Sequence, residues 1–140
     1  MNATYSHPIF FSDPSHYEQL SADFTRFHQL PLNVFLHLLT TPLGVIGLCS
    51  LVRDVTKSSS VLGSLMLVYL LSLLPTLPLG DFLGTALLCV SVLAAAHFAR
   101  LRAWQALALV VVGYALQDLA HEGLGEATFQ STYSAGGQVG

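Results

Sequence analysis

Charged side chains are scarce in this sequence. Asp, Glu, Lys and Arg make up 9% of its 140 residues, and apolar side chains make up 53%. A soluble domain carries roughly 25% charged residues, so this composition points away from an ordinary soluble enzyme. Only five residues are Lys or Arg and the net charge is −3, which argues against the basic surface that nucleic-acid binding requires.

Cysteine is also rare, and several familiar catalytic motifs are missing. The two cysteines, Cys49 and Cys89, both lie inside apolar segments, so we expect packing roles rather than a disulfide framework. No phosphate-binding loop, dinucleotide fingerprint or G-x-S-x-G motif occurs in the sequence. His121-Glu122 begins like the zinc-protease motif H-E-x-x-H, but Gly125 stands where the second histidine belongs. None of these enzyme classes is therefore indicated.

Four long segments contain no Asp, Glu, Lys or Arg. They are Phe27–Val52, Ser58–Gly80, Phe82–Ala99 and Ala103–Gln117. A helix needs about 20 apolar residues to cross a hydrocarbon core, and the fourth segment reaches that length when Leu119 and Ala120 are included. A soluble helical bundle would need polar faces at helical spacing, and none is visible. We therefore predict an all-α, multi-pass integral membrane protein with about four transmembrane helices.

The chain reads as a single membrane domain, residues 1–140. Residues 1–30 form an N-terminal lead with a short interfacial helix, residues 31–120 form the four-span bundle, and residues 121–140 form a polar tail. The lead has no basic segment followed by an apolar one, so we expect no cleavable signal peptide. Four of the five basic residues, all except Arg26, lie in two loops, Arg53–Lys57 and Arg100–Arg102, which would share one side. The positive-inside rule makes that side cytoplasmic.

Three histidines fall at one face of the predicted bundle. His28 and His37 lie near the start of the first apolar segment, and His121 lies just past the end of the fourth. Four crossings return the chain to its starting side, so these three side chains would meet there. His97 would lie on the opposite side, and we interpret it as an interfacial structural residue. A single histidine at the end of a span is usually bonded to a backbone carbonyl, but three together indicate a buried metal site.

Other polar side chains accompany these histidines at helical spacing. Asn33 lies four residues before His37, and Gln117 lies four residues before His121, so each pair shares one helix face; Glu126 follows shortly after. Polar groups at membrane depth are costly and tend to face a cavity or a partner. Imidazole with amide or carboxylate neighbours suits a first-row metal such as iron or zinc.

The two histidine patterns resemble signatures of one family. Phe27-His28-x4-Asn33-x3-His37, followed by Thr41-Pro42-Leu43-Gly44, resembles the first signature of the membrane 2-hydroxy-fatty-acid dioxygenases. Gln117-x3-His121-x4-Glu126 resembles the second, although Ala120 stands where the family has glycine. The similarity extends over about residues 17–133 and includes the four-span layout.

This resemblance implies an Fe(2+) enzyme of fatty-acid α-oxidation, as in phytosphingosine degradation. A long-chain 2-hydroxy fatty acid would react with O2 and become one carbon shorter. The resemblance implies His28, His37 and His121 as metal ligands. It implies Asn33, Gln117 and Glu126 as catalytic neighbours of the metal, with Glu126 as a possible carboxylate ligand. It also implies an endoplasmic reticulum membrane if the protein is eukaryotic.

Two other functional classes stay open at this point. The chain could be a non-catalytic lipid-binding or assembly protein whose polar residues only join helices. It could also be a metal-dependent lipid enzyme with different chemistry, such as a zinc hydrolase. The identity of the bound metal distinguishes these classes.

Overall fold

The computed structural model describes residues 14–126, which contain five α-helices and no β-strand. The helices are α1 (Pro14–Phe27), α2 (Pro31–Thr56), α3 (Ser59–Leu73), α4 (Leu79–Ala99) and α5 (Ala103–Leu124). The predicted all-helical fold is confirmed. His7 and most of the predicted polar tail lie outside the described residues.

Three helices are long and apolar enough to cross a bilayer, namely α2, α4 and α5, with 26, 21 and 22 residues. Their length and composition indicate a membrane protein. The helix α3 is equally apolar but has 15 residues. It extends over about 22 Å, less than the hydrocarbon core of about 30 Å. It ends at Leu73, because Pro75 and Pro78 lack the N–H group that continues a helix.

The surface of the bundle is apolar, and its interior is small and partly polar. Leu87 and Trp104 are 70% and 67% exposed, whereas the largest fully buried side chains are Asn33, Thr76 and Ser50. A soluble protein shows the opposite arrangement. In hydrocarbon, helices associate through small residues and hydrogen bonds, because burying leucine away from lipid gains little. The distribution of side chains therefore matches a membrane environment.

Three helices are joined at one end of the bundle, which we call the Arg53 end. The Arg53 guanidinium donates to the carbonyl groups of Ala96 and His97 in the last turn of α4. Asp54 accepts a 2.8 Å hydrogen bond from the N–H of Ala103, the first residue of α5. Because α2 and α4 both finish here and α5 begins here, α2 runs parallel to α4 and antiparallel to α5.

The helix α1 occupies the place predicted for a short N-terminal helix. The Tyr17 hydroxyl donates a 2.7 Å hydrogen bond to Asp81 near the start of α4. This bond, together with partial desolvation, raises the pKa of the Tyr17 phenol above its usual value. At the other end of the chain, α5 extends four residues into the predicted polar tail. Gly125 ends it with a φ of 67°, a common helix C-cap.

Two glycines allow α2 and α5 to approach closely. A Cβ atom on Gly113 would lie 2.9 Å from the backbone nitrogen of Gly44, and one on Gly47 would lie 2.8 Å from the carbonyl oxygen of Ala106. Both neighbours are backbone atoms that cannot rotate away. A Cβ atom on Gly44, by contrast, would meet nothing within 4 Å. The spacing between α2 and α5 thus depends on Gly47 and Gly113.

We predict that Gly113→Ala destabilises the protein in detergent by about 1–3 kcal/mol, the usual cost of overpacking. Gly44→Ala is the matched control, because its added methyl group has room and alanine favours the helix. Thermal unfolding followed by circular dichroism measures both effects. Equal stability of the two variants would contradict the close approach of α2 and α5.

Candidate metal centre

The three predicted histidines meet at the end of the bundle opposite the Arg53 end. His28 lies in the link between α1 and α2, His37 in the second turn of α2, and His121 in the last turn of α5. Each offers one ring nitrogen, and these nitrogens all lie within 4.8 Å of one another. His121 is buried and the other two are half-buried. This histidine cluster can hold a metal ion.

The orientation of His28 fits a metal ligand. Its Nδ1 lies 2.9 Å from the Phe24 carbonyl oxygen. Because a carbonyl only accepts, Nδ1 carries the proton and Nε2 presents a lone pair. Nε2 is buried and has no hydrogen-bond partner, an arrangement that costs about 1–3 kcal/mol. A metal-binding histidine usually has its other nitrogen bonded to such a carbonyl.

His37 and His121 face each other through their Nε2 atoms, which are 3.0 Å apart. Nitrogens bound to one zinc-like ion at about 2.0–2.1 Å stand roughly 3 Å apart, so the spacing fits shared coordination. Without a metal, one of the two nitrogens must carry a proton that it donates to the other. Metal binding would displace that proton, because only the lone pair coordinates.

Asn33 and Glu126 support His121 from the side away from the cluster. Asn33 is completely buried, and its Nδ2 lies 3.2 Å from Nδ1 of His121. The same Nδ2 donates to one carboxylate oxygen of Glu126. The other oxygen accepts two 2.7 Å hydrogen bonds from the N–H groups of Gln29 and Leu30, at the start of α2. Glu126 therefore joins the end of α5 to the start of α2.

The environment of Glu126 keeps its side chain ionised. Desolvation acts to raise its pKa, but the hydrogen bonds from Asn33, Leu30 and Gln29 outweigh it and lower the pKa below its usual value. Because both carboxylate oxygens already accept hydrogen bonds, Glu126 is positioned to orient His121 through Asn33. Glu126 is not a member of the histidine cluster itself.

Gln117 lies one turn further into the bundle than His121. Its Nε2 donates a 2.7 Å hydrogen bond to Thr41 on α2. Thr41 lies one turn from His37, just as Gln117 lies one turn from His121. The structure thus brings His28, His37, His121, Asn33 and Glu126 together, while Gln117 contacts α2 rather than a histidine of the cluster.

The remaining described histidines lie outside the cluster. His97 is exposed at the Arg53 end, its ring against Phe98, on the side that the sequence predicts. His16 belongs to α1 and is not a member of the cluster. Sequence reasoning missed Phe24, whose ring stacks on His28 at 3.9 Å between centroids. The four-residue spacing of Phe24 and His28 was the available signal.

Among the described residues, the donor set consists of three imidazole nitrogens, and no carboxylate belongs to it. Such a set suits a divalent first-row transition metal and leaves coordination positions for a further ligand. Comparison of the chain with protein-family models, curated proteins and solved structures found no match. The chemistry of the site is therefore inferred from its own residues.

We predict that His28→Ala, His37→Ala and His121→Ala each lose most of the bound metal while the protein still inserts into the membrane. Each change removes one of three ligands. His97→Ala is the control and should retain its metal. Elemental analysis of protein purified with a histidine-free tag measures the content. Equal metal loss in His97→Ala would contradict a site made by these three histidines.

Proposed function

We propose that this protein is an iron(II)-dependent dioxygenase that shortens long-chain 2-hydroxy fatty acids by one carbon. The observation that carries the proposal is the cluster of His28, His37 and His121 inside a bundle with an apolar surface. The resemblance of the surrounding residues to the membrane 2-hydroxy-fatty-acid dioxygenases supplies the choice of metal and substrate. Both signatures contribute side chains to this one cluster.

The proposed reaction balances without another reductant. A 2-hydroxy acid and one O2 give the shortened acid, one CO2 and one water, so the substrate provides all four electrons. The bond between C1 and C2 breaks, and C2 becomes the new carboxyl carbon. Iron(II), held by His28, His37 and His121, would supply the redox chemistry with O2.

The chain's own residues hold and orient this chemistry. His28, His37 and His121 would hold the metal through the ring nitrogens that lie within 4.8 Å of one another. The Phe24 carbonyl fixes the ring of His28, and the Asn33 amide, itself bonded to Glu126, lies against Nδ1 of His121. Such outer contacts keep ligands in position before the substrate binds. The apolar helices on either side limit the access of water.

We further propose that α3 completes a fourth crossing. The parallel direction of α2 and α4 supports this, because the chain must return across the bilayer between them. The 15 residues of α3 and the five residues that follow make up this return. The helix α1 would lie in the membrane interface beside the metal centre. The basic loops would face the cytoplasm, in the endoplasmic reticulum if the protein is eukaryotic.

We predict that cysteines introduced singly, in a background lacking Cys49 and Cys89, react with a labelling reagent from opposite sides of the membrane, depending on their position. Ser59→Cys and Arg102→Cys should label from one side of a vesicle with an impermeant maleimide. Leu79→Cys and Glu122→Cys should label from the other, because α3 returns the chain. Labelling of Leu79→Cys from the same side as Ser59→Cys would rule out the fourth crossing.

A zinc-dependent lipid hydrolase is the second candidate, because three histidines without a carboxylate also form catalytic zinc sites. Elemental analysis distinguishes the two candidates directly. Iron supports the dioxygenase and zinc supports the hydrolase. A purified protein that binds neither would support a non-catalytic lipid-binding or assembly role.

We predict that iron-loaded protein converts 2-hydroxypalmitate to the C15 acid only when O2 is present. Palmitate should react poorly, since it lacks the hydroxyl that provides the second chelating oxygen. Gln117→Ala should lower the rate by about 10–100-fold without removing iron, the effect typical of residues around a metal site. Mass spectrometry measures the products. Equal product without O2, or none from fully iron-loaded protein, would exclude the dioxygenase.

A further inference from the structure

A cavity of about 450 Å³ lies between α2, α3 and α4, next to the candidate metal centre. On α2 it extends from Thr41 to Val52, a distance of roughly 17 Å at the helical rise. Thr41 lies one turn after His37 and is hydrogen-bonded to Gln117. One end of the cavity is therefore one helical turn from the histidine cluster.

The lining of the cavity is almost entirely apolar. Thr41, Tyr69 and Thr85 line the stretches of α2, α3 and α4 nearest the histidine cluster, but both threonine hydroxyls are hydrogen-bonded to other groups of the protein. Val52, Leu62 and Val92 line the end toward Arg53, beside the packed core. Such a lining suits the hydrocarbon tail of an amphiphile whose head lies at the histidine cluster and whose tail extends toward the Arg53 end.

The length of the cavity bears on the length of the tail. The carbons of an extended chain advance by about 1.3 Å each, so 17 Å takes about 13 carbons. This length is comparable to that of the 14 carbons that follow C2 in 2-hydroxypalmitate.

The side of the cavity is open toward the surrounding hydrocarbon. Leu48, Leu65 and Leu88 line it and are 53%, 55% and 47% exposed. A tail can therefore slide in from the membrane. Because the tail leaves one hydrocarbon environment for another, its transfer gains little hydrophobic free energy. The cavity would place the tail by its shape, while the head group provides the binding energy.

We propose that the α2–α3–α4 cavity binds the acyl tail of the substrate, with Val52, Leu62 and Val92 receiving its last carbons. This inference rests on the proposed function for the identity of the head group. It assigns a specificity-determining role to side chains that do not contact the metal. It also explains why a half-open cavity lies beside a cluster of histidines.

Photolabelling tests this placement without any turnover. Iron-loaded protein in vesicles is irradiated without O2 in the presence of 2-hydroxypalmitate analogues that carry a diazirine at C5 or C14. The C14 analogue should label Val52, Leu62 or Val92, and the C5 analogue should label Thr41, Tyr69 or Thr85. Unlabelled 2-hydroxypalmitate should compete with both. Labelling by the C14 analogue mainly at lipid-facing Leu38 or Leu87 would overturn the proposal.

A photoreactive phospholipid tests whether a structural lipid occupies the cavity instead. If its acyl chain labels the cavity residues and 2-hydroxypalmitate does not displace it, the cavity holds a structural lipid and the proposal is wrong. Cavity labelling by the C14 analogue in a protein that shortens no 2-hydroxy acid would refute the proposed function and leave the tail site standing. Turnover with labelling only at the lipid-facing residues would refute the tail site alone.

Two matched variants provide a second measurement. Leu65→Trp places a large ring in the cavity and should reduce C14 labelling of Leu62 about tenfold, the usual scale of an overpacking penalty. Leu67→Trp makes the same change at a residue of α3 that is 57% exposed and does not line the cavity, so labelling should be unchanged. Metal content shows that both variants fold. Equal labelling of the two folded variants would contradict the proposal.

Discussion

The close antiparallel contact of α2 with α5 is the constraint on which the rest of the structure depends. Gly47 and Gly113 let the two backbones approach to a distance that no side chain permits. That approach brings His37 to His121 and Thr41 to Gln117, although more than 75 residues separate the partners in the chain. The histidine cluster is therefore a consequence of helix spacing, and a wider spacing would separate its members.

Hydrogen bonds between α2 and α5 fix the alignment of the two closely packed helices. In lipid, a polar group that lacks a protein partner cannot form a hydrogen bond to water instead. The polar residues of α2 and α5 therefore favour the alignment of the two helices in which each lies opposite its hydrogen-bond partner. Asp54 meets the start of α5 at one end, and Glu126 meets the start of α2 at the other. These two carboxylates fix the ends of the helix pair. They also mark the two ends of the bundle, the Arg53 end and the opposite end that holds the histidine cluster.

The two ends differ in the chemistry that they offer. The Arg53 end holds the basic loops and an exposed His97, and its hydrogen bonds satisfy the last carbonyl groups of α4. The opposite end gathers three imidazoles, a buried amide and a carboxylate, covered on one side by Phe24 of α1. Between them lies an apolar cavity open to the hydrocarbon. A polar site thus lies beside an apolar space, the arrangement on which the proposed function rests.

The sequence by itself determined the helical class, the apolar segments and the three histidines that meet, because composition and the position of a residue at the end of an apolar segment are local properties. The tertiary structure decided the rest. The helix α3 extends only from Ser59 to Leu73, and Glu126 accepts hydrogen bonds from the N–H groups just before α2. The sequence also did not predict the hydrogen bond from Gln117 to Thr41 or the cavity beside it. Each depends on how a helix is rotated about its axis, and a nearly uniform apolar helix carries no polar face that reveals this rotation, because lipid and neighbouring helices are equally apolar.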